Sequence, residues 1–271
     1  MRVTLLGTGA SAGVPQIGPV WGACDPSDPR NRRSRSAILV EGADGQRLLV
    51  DAGPDLRAQL LAAGIGRFDA LVFTHHHADH IMSVDELRVI NRAIGRALDA
   101  HALPATLEAL RRRFDYAFLP PTPPFFYRPA LVGLPVEPGQ GLTLAGMEVR
   151  FLSQDHGMME TLGLRIGDFA YSTDLVRMPD ATLAALHGLD TWVVACFQRE
   201  PHRVHAHLAQ VLDWVATLRP RRVVLTHMGI DLDAGWLERN LPPGVEAGLD
   251  GMSLEVPCGR GPSALPGDTP H

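Results

Sequence analysis

The sequence predicts an α/β protein assembled from two similar halves. Three observations carry that expectation. Short β-type runs recur along the 271 residues, helix-like segments with apolar spacing of three and four lie between them, and the order of the first half is repeated from about Leu142 onward. The β-type runs are Val3 to Leu6, Ser36 to Val40, Arg47 to Val50, Ala70 to Phe73, Met147 to Leu152, Leu162 to Ile166, Trp192 to Ala195 and Arg222 to Leu225. The clearest helical segments are Asp55 to Ala63, Thr106 to Phe114, Pro179 to Leu186 and Leu208 to Leu218. Each half opens with adjacent strands and then alternates strand with helix.

Composition narrows the function classes. Apolar residues make up 45%, enough for a sizeable core, and a net charge of −5 gives no overall basic field for nucleic acid. Every formal cation is arginine, because the chain contains no lysine. Schiff-base chemistry and a lysine-bearing phosphate loop are thereby excluded. Cys24, Cys196 and Cys258 are far apart and form no zinc-knuckle spacing, so they read as single buried thiols in a reducing compartment. The opening "MRVTLLGTG" is too short for a secretory apolar segment, and no run of about 18 apolar residues occurs, so the expectation is a cytoplasmic protein with no membrane partner.

Residues 1–256 read as one domain and residues 257–271 as a flexible tail. Between the halves, Phe118 to Gly139 is dense in proline and reads as a loop. Its aromatics, Phe125, Phe126 and Tyr127, are candidates either to line a substrate mouth or to pin the loop to the body.

The chemistry concentrates in "FTHHHADH". After the run Ala70 to Phe73, alternation places His75 and His77 on one face and His76 on the other, and the following turn brings Asp79 and His80 to the same locus. Neutral imidazoles and carboxylates suit zinc, manganese or iron. A polar loop would not need that order of residues. The pattern HxHxDH resembles the signature of the metallo-β-lactamase superfamily, and further residues meet the demands of that resemblance. "LLVDAG" supplies Asp51, "FLSQDHG" supplies His156, "FAYSTD" supplies Asp174 and "VVLTHM" supplies His227, each just after a β-type run.

The resemblance implies a four-layer αββα sandwich with two divalent metal ions, zinc or manganese with iron also possible, at one edge of the sheets. It assigns His75, His77 and His156 to one ion and Asp79, His80 and His227 to the other, with Asp174 bridging. It gives Asp51 a place behind the ligands, hydrogen-bonding the loop and one of them. The ions would activate a water for attack on an electrophile.

The superfamily hydrolyses several ester classes, so further signals matter. "LLGTGASAGVPQIG" and "WGACDP" resemble the opening of PhnP-type phosphodiesterases and, more distantly, tRNase Z. Glycines in that loop could offer N–H groups to phosphate or serve tight packing. In "EPHRVHAHLAQVLDWV" the resemblance places a proton donor just before the helix, on His205, with His207 as the fallback; the alternative is that these histidines, with His202, decorate a helix start. "RRVVLTHMGIDLD" and "LPPGVEAGLDGMSLEV" extend the likeness to Val256. One departure stands out: the cysteine cluster of the PhnP structural zinc is reduced to Cys24, and its histidine position is Ile230, which puts strict equivalence of substrate in doubt.

The expected activity is hydrolysis of a small cyclic phosphate or nucleotide-like diester, with His205, Asp79 and Asp51 as the catalytic set. Arg33 and Arg35, within the cluster Arg30 to Arg35, are candidates to clamp phosphate, against a solvated cluster. "LRRRFDY", Leu110 to Tyr116, reads as a charged helix face. No long basic insertion that would grip a tRNA body is present, so no large nucleic acid is expected as partner. The family implies a homodimer. Lactone or thioester hydrolysis, and a non-catalytic metal-dependent carrier, are the competing readings.

Overall fold

The computed structural model describes residues 1–120 and 130–257. The first half supplies β1 (Arg2–Gly7), β2 (Ala37–Glu41), β3 (Arg47–Val50), α1 (Leu56–Ala62), β4 (Ala70–Val72), α2 (Ala78–Ile81), α3 (Leu87–Ile94), β5 (Leu98–Ala102), α4 (Pro104–Arg113) and β6 (Leu131–Pro135). The second supplies β7 (Gly141–Leu144), β8 (Met147–Asp155), β9 (Glu160–Ile166), β10 (Phe169–Ser172), α5 (Asp180–Ala185), β11 (Thr191–Ala195), α6 (Leu208–Leu218), β12 (Arg222–Thr226), α7 (Ala234–Asn240), β13 (Val245–Ala247) and β14 (Ser253–Glu255).

Two seven-stranded sheets result, ordered β14-β1-β2-β3-β4-β5-β6 and β13-β12-β11-β10-β9-β8-β7. Each sheet is antiparallel on one side and parallel on the other. In the first, β14, β1, β2 and β3 pair antiparallel and β3 to β6 parallel. In the second, β7 to β10 pair antiparallel and β10 to β13 parallel. The repetition expected from Leu142 onward is therefore a repetition of topology. β3 corresponds to β10 and β4 to β11.

Strand alternation builds the layers. On β8, Met147, Val149 and Phe151 turn inward while Glu148 and Arg150 face solvent. The inner faces close on one another, with Leu5, Ile38, Val40, Leu48 and Val50 of the first sheet in the same core as Phe151, Leu164, Phe169, Tyr171 and Val193 of the second. The outer face of the first sheet packs Leu39, Leu49 and Leu71 against Leu56, Leu60, Leu107 and Leu110 from α1 and α4. That of the second packs Trp192 and Val194 among Leu208, Val211 and Leu237 from α6 and α7. Helix, sheet, sheet, helix is the four-layer order the resemblance implied.

The helices follow local rules. α4 begins with Pro104, whose missing N–H costs nothing at a first helical position, and ends in Arg111, Arg112 and Arg113, which suit the negative end of the helix dipole. α6 keeps the span Leu208 to Leu218 read from its apolar spacing and stops at Arg219 in the left-handed region, φ 51°.

One expectation is corrected. The proline-rich stretch Phe118 to Gly139 contains β6, which pairs parallel with β5 over Leu131 to Pro135. Proline is tolerated there because β6 is an edge strand and Pro135 is its last residue. Phe125, Phe126 and Tyr127, and the tail from Cys258, lie outside the described residues.

Candidate metal centre

Parallel strands of an open α/β sheet present the residues after their carboxyl ends at one edge, and here both sheets do so side by side. Asp51 follows β3, His75 follows β4, Asp174 follows β10 and His227 follows β12. His77 directly precedes α2, which carries Asp79 and His80, and His156 follows β8. The two edges are stitched together: Leu162 donates its N–H to Thr74 O at 3.0 Å, and Met228 donates to Thr8 O at 2.9 Å.

Three of these residues turn the chain sharply. Asp51, Asp174 and His227 have φ of 67°, 50° and 54°. Side chains other than glycine adopt that left-handed region at a cost of ~1–3 kcal/mol each. The surrounding hydrogen bonds must supply it.

The seven residues expected to bind metal do converge. Ligand atoms of His75, His77 and His156 lie within 4.8 Å of one another, and so do those of Asp79, His80 and His227. Asp174 stands between, with Oδ2 at 3.0 Å from His80 Nε2 and 3.3 Å from His227 Nε2, and Oδ1 at 3.7 Å from His156 Nε2. A carboxylate thus stands between the triads with one oxygen toward each. His76 belongs to neither group; it is half-buried beside Arg112 and Arg113, and its carbonyl accepts from Arg113 Nη1.

Hydrogen bonds on the far side of each ring decide which nitrogen is free. Asp51 accepts from Thr74 N and Thr74 Oγ1, both at 2.8 Å, and from His80 Nδ1 at 2.7 Å. The Thr74 hydroxyl, having given its proton to Asp51, accepts from His75 Nδ1 at 3.1 Å. His156 Nδ1 donates to Val204 O at 2.7 Å. Nε2 of these rings is left facing inward; at His75 it is buried without a hydrogen-bond partner, and at His80 it faces the carboxylates of Asp174 and Asp79 at 3.0 and 3.2 Å. Inward nitrogens beside two carboxylates form the donor set a divalent cation requires, so the residues fit the metal.

Electrostatics agree. Burial, reinforced by His80, holds His75 well below the usual imidazole range, and burial with His156 lowers His77, so both rings are neutral. Burial opposes charge on His80 too, but Asp174, Asp51 and Asp79 together raise it well above that range. Burial likewise disfavours charge on Asp174, yet His227 and His80 keep it well below the usual carboxylate range.

A family model described as a beta-lactamase superfamily domain matches residues 46–228. The chain belongs to the β-lactamase superfamily. Among solved structures of superfamily proteins, it is similar to a diphosphatase from the PhnP family, at 33% identity and TM-score 0.86, covering 94% of this chain and 98% of that one. Among curated proteins it is 32% identical over 259 residues to an octanoyltransferase of Porphyromonas gingivalis, covering 94% of this chain and 52% of the relative. It is 29% identical over 141 residues to a ribonuclease Z of Bradyrhizobium, covering 51% of this chain and 45% of the relative. The chain spans about half the length of these curated relatives.

Within this superfamily site, His205 lies ahead of α6 with Nδ1 at 3.5 Å from Asp174 Oδ1, against the rings of His156 and Phe197. His207 is the residue before α6 and makes no side-chain cap, and His202 packs on Phe197. Asp51 touches no solvent and accepts from Thr74 and the His80 ring.

The two arginines diverge. Arg33 does not serve as a phosphate clamp here: it is 2% exposed, and its guanidinium donates to Leu232 O at 2.7 Å, with longer contacts to Gly229 O and Asn31 Oδ1. Those carbonyls take its N–H groups, so it braces the segment after His227. Arg35 is half-buried in an ion pair with Asp55, Nε to Oδ2 3.0 Å, and its Nη1 lies near Gly13. Glycine at position 9 serves close packing, since a Cβ there would stand 2.8 Å from Arg33 O.

Residues that sequence reasoning missed are the hydroxyls just before ligands. Thr74, Thr173 and Thr226 precede His75, Asp174 and His227. The repeated threonine–ligand step at three strand ends was the available signal.

Proposed function

We propose that this chain hydrolyses a small phosphodiester, cyclic or nucleotide-like, with divalent ions that the His75, His77, His156 and the Asp79, His80, His227 triads, together with Asp174, would hold. The ions, when bound, supply Lewis-acid polarisation and an activated water.

The observation that carries the reading is the position of His205. It stands outside both triads, although its ligand atom lies within 4.8 Å of those of His156 and Asp174, and its Nδ1 is buried, without a hydrogen-bond partner, and 3.5 Å from Asp174 Oδ1. Hydrolysis forms one P–O bond from water and breaks one P–O ester bond, and an alkoxide leaving group departs poorly without a proton. His205 is the ring placed to give it. Burial and the neighbouring His227 pull its pKa down to about 3, so the ring is neutral before substrate arrives. A phosphodiester anion beside it favours the protonated form, coupling proton uptake to substrate binding. A carboxylic ester brings no such charge.

The 33% identity to a PhnP-family diphosphatase supports phosphorus as the electrophile, and it adds a phosphoanhydride as the second substrate class. The octanoyltransferase relative supplies the acyl alternative. A panel of bis(p-nitrophenyl) phosphate, 2′,3′-cyclic nucleotides, a nucleoside diphosphate ester, an acyl lactone and a thioester tests the proposal. Turnover confined to the phosphorus compounds supports it; turnover confined to the lactone or thioester contradicts it.

A further inference from the structure

Behind the paired triads lies a set of hydroxyl and amide groups that the proposed chemistry does not use. Asp174 leaves β10 with φ 50° and carries its carboxylate between the two triads. Three side chains hold that strained residue. Thr173 Oγ1 donates to Asp174 Oδ2 at 2.8 Å. Thr161 Oγ1, on β9, donates to the carbonyl of Asp174 at 2.9 Å. Gln154 Nε2, on β8, donates to Thr173 O at 2.9 Å and to Thr161 Oγ1 at 3.3 Å. Gln154 and Thr161 are cross-strand partners, and none of the three has any solvent exposure. The amide has room because position 163 is glycine; a Cβ there would stand 2.4 Å from Gln154 Oε1.

The hydroxyl of Thr173 reaches only one carboxylate oxygen. Oδ2, its acceptor, faces His80 and His227, whereas Oδ1 faces His156 and His205. The two oxygens of the bridging group are therefore unlike. Once the hydroxyl has donated, rotation of the carboxylate about its bond to Cβ would break that contact.

We infer that Thr173, braced by Thr161 and Gln154, is a positioning residue that sets the plane of the Asp174 carboxylate and turns Oδ2 toward the ion that Asp79, His80 and His227 would hold. Its hydroxyl donates to Asp174 Oδ2, so it would act through that carboxylate. The inference rests on the two-ion reading and is independent of the substrate. Groups that hydrogen-bond a ligating carboxylate are worth about 10–100-fold in metal affinity.

The test is a cobalt(II) titration of metal-stripped protein, followed by visible absorption and by competition with a chelator, on wild type, Thr173→Val and Thr173→Ser. Valine keeps the shape and removes the donor; serine keeps the donor. Expected is a loss of about 10–100-fold in one of the two binding steps for Thr173→Val, with altered visible bands, a far-ultraviolet dichroism spectrum like wild type, and recovery in Thr173→Ser. Wild-type affinities and bands in Thr173→Val overturn the inference, and so does a serine variant as impaired as the valine one. If Thr173→Val does not fold, Thr161→Val carries the test one step back, with a loss in the same step expected and wild-type binding overturning it. A wild type that takes up fewer than two ions removes the two-ion reading itself, which is a different result from two ions with an unaffected valine variant.

Discussion

Asp51 Oδ2 accepts the Nδ1–H of His80 at 2.7 Å, and neither side chain touches solvent. The same oxygen takes the hydroxyl proton of Thr74, which in turn accepts from His75. One carboxylate thus orients two ligands, one in each triad. Asp51→Ala is expected to weaken both ion positions by about 10–100-fold, the position of His80 more because its contact is direct. Chelator competition measures this; an unchanged affinity at both positions would contradict the arrangement.

A metal ion bound at His80 would displace a proton. The raised pKa of His80, caused against burial by Asp174, Asp51 and Asp79, keeps the ring protonated near neutral pH in metal-stripped protein. Affinity should therefore rise with pH, and calorimetry in buffers of different ionisation enthalpy should show proton release. In the metal-stripped state, the His80 contribution to stability is present below the ordinary imidazole pKa of about 6.5 and lost as pH rises through its raised value. Asp174, held low by His227 and His80, contributes above the ordinary carboxylate pKa of about 3.9 and loses that as pH falls. Chemical unfolding of stripped protein should show a stability maximum between the two, whereas a flat profile would show that these pairs do not couple to folding.

Removal of His205 should sort substrates by leaving group. His205→Ala is expected to slow alkyl phosphodiesters by ~10²–10⁴-fold, the usual worth of a positioned acid, and p-nitrophenyl esters far less. Steady-state rates on the two classes decide; equal losses on both would remove the proton-donor role.

Arg33 makes a contrasting prediction. Its guanidinium is enclosed by Leu232 O, Gly229 O and Asn31 Oδ1, so Arg33→Met leaves buried acceptors unpaired. Denaturant unfolding should show a loss of ~1–3 kcal/mol, with KM little changed. A stable variant with a greatly raised KM would return Arg33 to the substrate.

The convergence of the candidate ligands was legible because each is tied to a local pattern: HxHxDH at one strand end, and an Asp or His soon after three other apolar runs. The two-half topology was legible for the same reason, and α6 kept its span because its apolar spacing is regular. What was not legible depends on partners remote in sequence. Arg33 reads as an exposed cation until the backbone carbonyls of Gly229 and Leu232, brought in by the β12 turn, enclose it. β6 was hidden by its proline, which only an edge position permits. β13 and β14 are three residues each, too short for periodicity, and exist through pairing with β12 and β1.

On the proposed reading, His75, His77 and His156, with Asp79, His80 and His227, would form two ion positions sharing Asp174. Elemental analysis of purified wild type and His227→Ala, reconstituted with a single divalent metal and freed of excess, counts them. Two ions per chain are expected in wild type and one in the variant; one ion or none in wild type, or two in both proteins, would overturn the two-ion reading.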